Sequence, residues 1–148
     1  MPFFTDVLLI SVSILLAFIL LRYYTRQKSY KKFITQNEGK KFFCYNDRLV
    51  TKAFIETHVL PILPEEVEVV WVENRKPISL NYKRANISTM LYEINSLKGS
   101  FPFLVTIENG TVDYISLQQQ TYKAIQDPGK TQWLLDVILG IFDDSDKS

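Results

Sequence analysis

One cysteine, one histidine and a scatter of carboxylates are what this chain of 148 residues offers for chemistry. The cysteine stands in Cys44-Tyr45-Asn46-Asp47-Arg48, where an aromatic run gives way to turn residues. A thiol beside a helix N-terminus is where a thiolate nucleophile is favoured. Asp47, three residues on, opposes that charge. Two roles stand open for Cys44: a monothiol nucleophile resolved by glutathione or a partner thiol, and a small apolar residue packed at a strand end. His58 falls late in a helix with no second ligand or nucleophile in reach, and reads as a surface or half-buried side chain. A lone cysteine excludes an internal disulfide framework and, with a lone histidine, a Cys- or His-rich metal site. Glu65, Glu66 and Glu68 flank a strand, and Asp143, Asp144 and Asp146 end the chain. Neither set has the look of a paired general acid and base. No phosphate loop and no serine-nucleophile motif is present, so neither metal nor cofactor is expected. Asn86-Ile87-Ser88 and Asn109-Gly110-Thr111 fit the glycosylation pattern, but read better as a helix cap and a hairpin turn.

The elements that must hold these residues begin with an anchor. Val7 to Leu21 is apolar except for Ser11 and Ser13, and Phe3, Phe4, Tyr23 and Tyr24 flank it. About 22 residues at 1.5 Å each span roughly 33 Å, the depth of a hydrocarbon core. Met1 to Asp6 has no Lys or Arg and no small-residue cleavage site follows, which argues against a signal peptide. Small-residue spacing of the Gly-x-x-x-Gly kind, which supports helix dimers, is missing. From Arg22 to Lys41 seven basic residues face one acid, Glu38. Arg22, Arg26, Lys28, Lys31 and Lys32 would lie at the headgroups of an anionic leaflet. By the positive-inside rule the C-terminal part stays in the cytoplasm; the alternative, despite the charge flank, places the domain outside it. Residues 42–148 hold ten basic and fourteen acidic residues, a poor balance for binding nucleic acid.

The pattern divides the chain into an anchor (1–24), a basic stalk (25–39) ended by Gly39, a domain (40–142) and an acidic, disordered tail (143–148). Within the domain Lys41 to Tyr45 reads as a strand, with Asn46-Asp47 as turn and helix N-cap. Leu49, Val50, Ala53, Phe54 and Thr57 recur at helical spacing toward Pro61. Val67 to Val72 is the second strand and Glu73 to Arg84 a polar connection containing Pro77. Asn86 caps a helix whose buried face is Ile87, Met90, Leu91 and Ile94, closed by Gly99. Phe103 to Ile107 and Thr111 to Leu117 are strands joined by Asn109-Gly110, a type I′ hairpin signal. Gln118 to Gly129 reads two ways, as a loop or as a helix that Asp127-Pro128-Gly129 interrupts. Thr131 to Phe142 is a helix with Leu134, Val137, Ile138, Ile141 and Phe142 on one face. The first two strands must be parallel, because a helix crosses between them. The last two are antiparallel. The expected fold is α/β, a mixed four-stranded sheet in the order βαβαββα, behind one transmembrane helix.

That order, together with the segment Gly99-Ser100-Phe101-Pro102-Phe103-Leu104-Val105-Thr106-Ile107-Glu108-Asn109-Gly110-Thr111-Val112, resembles the thioredoxin superfamily around its cis-proline. The resemblance implies a cis Phe101–Pro102 bond at the entry to the third strand. It also implies a thiol pair where the first strand meets the first helix, and there this chain departs: Cys44-Tyr45-Asn46-Asp47 lacks the second cysteine and the usual proline. A disulfide cycle within the chain is therefore lost. In such domains the residue before the proline offers its backbone to an extended partner segment. The resemblance thus implies a partner-binding groove at Tyr45, Asn46, Asp47, Phe101 and Pro102. The expectation is a redox-inactive, membrane-anchored domain that binds or scaffolds a protein, with a monothiol or glutathione-linked enzyme using Cys44 as the alternative.

Overall fold

The computed structural model describes residues 2–94 and 100–145. The chain divides into two compact units, with the boundary between Gln36 and Asn37.

The first unit is one helix, α1 (Pro2–Gln36). Pro2 occupies the first turn, where its missing N–H costs nothing, and no glycine or proline follows before Gln36. Ser11 donates to the Leu8 carbonyl and Ser13 to the Leu9 carbonyl, both at 2.8 Å. Each hydroxyl is satisfied inside the helix. From Phe4 onward α1 is long and apolar enough to cross a membrane, and its apolar side chains from Val7 to Leu21 are exposed. The stretch expected as a separate stalk continues the same helix, which stops before Gly39 at φ 77°.

The second unit is a five-stranded mixed sheet, one strand more than expected. Its strands are β1 (Lys41–Asn46), β2 (Val67–Glu73), β3 (Lys76–Ser79), β4 (Phe103–Glu108) and β5 (Thr111–Ser116), in the order β3-β2-β1-β4-β5. As expected, β1 and β2 are parallel and β4 and β5 antiparallel. The added strand β3 lies in the segment read as a connection. It pairs antiparallel with β2 through a two-residue turn, Asn74-Arg75, with φ of 50° and 62°. Pro77 is tolerated there because β3 is an edge strand.

Central β1 buries Phe42, Phe43, Cys44 and Tyr45 without a polar break, as a strand covered on both faces must. On one face Phe43, Tyr45 and Leu104 pack with Ile55, Val59, Leu117, Ala124, Leu134, Ile138 and Phe142. The helices of that layer are α2 (Leu49–Phe54), α4 (Gln118–Gln126) and α5 (Thr131–Ser145). On the other face the Phe42 ring meets Tyr82, centroids 5.5 Å apart, just ahead of α3 (Arg84–Glu93), which buries Ile87, Met90 and Leu91.

Several local expectations are corrected. Helix α2 and the π turn after it, Ile55–Val59, bury Thr51, Ile55 and Val59, and leave Leu49 and Val50 exposed. Both sets fit helical spacing, and packing against the sheet chooses the second. The backbone N-cap of α2 is Arg48, and that of α3 is Lys83, three residues before Asn86, which therefore lies inside the first turn. Gln118 onward is a helix, with Asp127 accepting from the Gly129 N–H at 3.1 Å where it stops. Helix α5 runs through Asp143 and Asp144 to Ser145, into the stretch expected as the tail. Gly99 and residues 146–148 lie outside the described residues.

Candidate functional site

Strand pairing decides where the residues of the expected groove lie. Antiparallel β1 and β4 put Cys44 opposite Phe103, so Pro102 and Phe101 continue alongside Tyr45 and Asn46. The Phe101–Pro102 bond is cis. The residues the sequence named therefore do meet, but most of them face inward. Tyr45, Phe101 and Pro102 are buried. The Phe101 ring packs on Phe103 at 4.6 Å between centroids. The Tyr45 hydroxyl donates to Glu56 Oε1 at 3.1 Å. Burial, then that hydrogen bond and the Glu56 charge, push the Tyr45 pKa up to about 12. Asn46 is half-buried, and its Oδ1 has no partner among the described residues.

Asp47 is exposed, yet structurally engaged. Its Oδ2 accepts the Asn74 N–H at 3.0 Å, and its own N–H donates to the Val72 carbonyl at 3.1 Å. It thus holds the β2–β3 turn rather than capping α2. Beside it Arg48 Nη1 donates to the Tyr122 hydroxyl at 2.6 Å. The next two residues, Leu49 and Val50, are 82% and 65% exposed. Two aliphatic side chains facing water in the first turn of a helix form an apolar surface next to Asp47. Sequence reading noted only their helical spacing. Their signal was a clash of phase with Thr51, Ile55 and Val59.

Cys44 is fully buried in the central strand, not at its end. Burial alone pushes the thiol pKa well up. A nucleophilic thiol needs the thiolate and access to a co-substrate, and this one has neither. It packs as a small apolar residue. His58 is exposed with its ring 4.9 Å from Phe54. Among the described residues no group of His, Cys, Asp and Glu could hold a metal ion.

Arg22, Arg26, Lys28, Lys31 and Lys32 are all exposed along the second half of α1. The Arg22 guanidinium lies over the Phe18 ring at 5.8 Å, with its stem along apolar surface and its charge at the end of the apolar run.

The chain thus defines a mixed α/β domain carried behind one long apolar helix. No known protein family, curated protein or solved structure matches it.

Proposed function

We propose that this is a single-pass membrane protein whose domain from Asn37 onward is a thioredoxin-like fold without redox chemistry, held at the cytoplasmic face to bind another protein. The observation that carries the binding role is the exposed pair Leu49-Val50 beside Asp47, at the end of the sheet where thioredoxin relatives meet their partners. The strand order β2-β1-β4-β5, with a proline opening β4, supports the fold. The exposed apolar run of α1 supports the anchor, since that much apolar surface is stable only in lipid or against protein. Its basic second half supports the cytoplasmic side. The burial of Cys44 supports binding over thiol catalysis.

A photo-crosslinker placed at Leu49 in the membrane-bound chain tests the binding role. A discrete cross-linked partner is expected, lost in a Val50→Asp variant that remains folded. Uniform background at Leu49 and at a site on the far side of the domain would overturn it. Alkaline extraction and protease access in sealed vesicles test anchor and side independently. Release by carbonate removes the anchor, and protection of the domain from cytoplasmic protease reverses the side.

A further inference from the structure

Strand β5 forms one edge of the sheet. In the β4–β5 hairpin Glu108 and Thr111 flank the two-residue turn as a pair. In such a hairpin the flanking pair is hydrogen-bonded and alternate residues turn their backbone outward. The pattern is confirmed at the far end, where the Leu117 N–H donates to the Pro102 carbonyl at 2.8 Å. Val112 and Tyr114 therefore present N–H and C=O away from β4. As β5 is the outer strand, neither has a backbone partner on that side among the described residues. Edge strands are usually blunted by lysine, proline or a bulge. This one has no lysine, proline or bulge and a single charge, Asp113, and Tyr114 and Ile115 are 47% and 49% exposed.

Along the same edge lies a cavity of about 410 Å³. Its apolar lining includes Leu104, Ile115, Ile141 and Phe142, and Glu108, Asp113 and Asp144 stand around it. Lys41, the one basic residue in the lining among the described residues, is committed to α5. Its Nζ donates to the Phe142 carbonyl at 3.4 Å and lies 5.5 Å from the Phe142 ring centroid. An unpaired edge supplies backbone hydrogen bonds, an adjacent apolar cavity receives a side chain, and the acids select charge.

We propose that β5 receives an extended segment of a partner protein as a sixth strand, with an aliphatic side chain in the cavity and Lys or Arg two residues away on the same face. Period-two alternation puts both side chains over this one groove, and the three carboxylates complement the base. This surface is separate from Leu49-Val50 and stands whether or not that one binds.

The test uses the full chain in lipid nanodiscs with a labelled seven-residue peptide, Thr at odd positions and Lys, Leu, Lys at even ones. A twin peptide carries Glu for Lys. Fluorescence anisotropy reads binding, and amide hydrogen exchange reads Val112 and Tyr114. The Lys peptide is expected to bind and to slow exchange at both amides. Binding should weaken by about tenfold or more for the Glu peptide and in an Asp113→Lys/Asp144→Lys variant. Tyr114→Pro should do the same, because it removes an outward N–H without touching the β4 ladder. Exchange at Phe43 checks that each variant is folded. No binding, equal binding of the two peptides, or binding without protection at Val112 and Tyr114 overturns the proposal. So does protection of both amides in the chain alone, if Tyr114→Pro abolishes both a dimer and the protection at Val112, which would give the edge to a second copy.

Discussion

The Glu38 carboxylate accepts the N–H of Gly110 at 3.1 Å, and its other oxygen accepts the N–H of Asn109. The one acid of the basic stretch thereby closes over the turn of the β4–β5 hairpin. Both turn residues have positive φ, 54° and 71°, which aims successive N–H groups toward one anion. Glu38→Ala should cost about 1 kcal/mol, the worth of an exposed charge-assisted pair. Glu38→Gln should cost less. Urea unfolding with amide exchange at Gly110 checks it, and unchanged exchange there would refute the clamp.

The second hairpin makes an opposite demand. Arg75 sits at φ 62°, a conformation an L side chain resists and glycine accepts. Arg75→Gly is expected to stabilise the domain by about 0.5–1 kcal/mol. Gly110→Ala should destabilise it by about the same amount. Paired thermal melts decide the matter. A loss on Arg75→Gly would mean that the arginine side chain does something the backbone strain conceals.

Tyr45 makes stability depend on pH at the alkaline end. Burial, then the bond to Glu56 and its charge, raise the phenol pKa to about 12 in the folded state. In the unfolded chain it is near 10. The neutral phenol is the form the fold favours, so its contribution is complete below about pH 10 and disappears as pH rises toward 12. Tyr45→Phe should flatten that fall and cost about 0.5–1.5 kcal/mol at neutral pH. Tyrosinate absorbance alongside unfolding curves measures both. An alkaline profile identical in the variant would assign the loss to other groups.

Cys44 should react with alkylating reagents only when the domain opens. At neutral pH the native rate should lie orders of magnitude below that in denaturant, since the thiol is walled in and held protonated. Equal rates would restore the monothiol reading. Cys44→Ser places a hydroxyl in the same wall and should destabilise by about 1–3 kcal/mol.

The two faces of α2 and the π turn after it separate stability from binding. Ile55→Ala, at a fully buried site, should cost about 2–5 kcal/mol. Leu49→Asp should change stability by no more than about 0.5 kcal/mol while abolishing cross-linking at Val50. A large stability loss from Leu49→Asp would return that residue to the core.

Where the sequence was legible, local chemistry and packing agreed. Asn109-Gly110 has the only backbone freedom a tight hairpin needs, and the hairpin is there. Val7 to Leu21 has no polar face to bury, and α1 buries none of it. Strand β3 was hidden because Pro77 reads as a breaker, and only the knowledge that β3 lies at an edge reverses that reading. The signal present was Asn74 in a two-residue gap between Val72-Glu73 and Lys76-Pro77-Ile78. Asp47 was taken for a cap, since a cap is the local use of an aspartate there. Its partner, the Asn74 N–H, is 27 positions away and invisible until the sheet forms. The burial of Phe101 was not legible either, because its ring turns back onto Phe103 across the strand entry.

Strand β1, central in the finished sheet, is also the first part of the domain to be synthesised. Its antiparallel neighbour β4 follows only after about sixty more residues have left the ribosome, a long-range pairing of the slow kind. Until then Phe42-Phe43-Cys44-Tyr45 trails the emerging α1 with one edge bare. The nascent chain must keep four greasy side chains from sticking to the bilayer or to its neighbours during that interval, a burden suited to a chaperone.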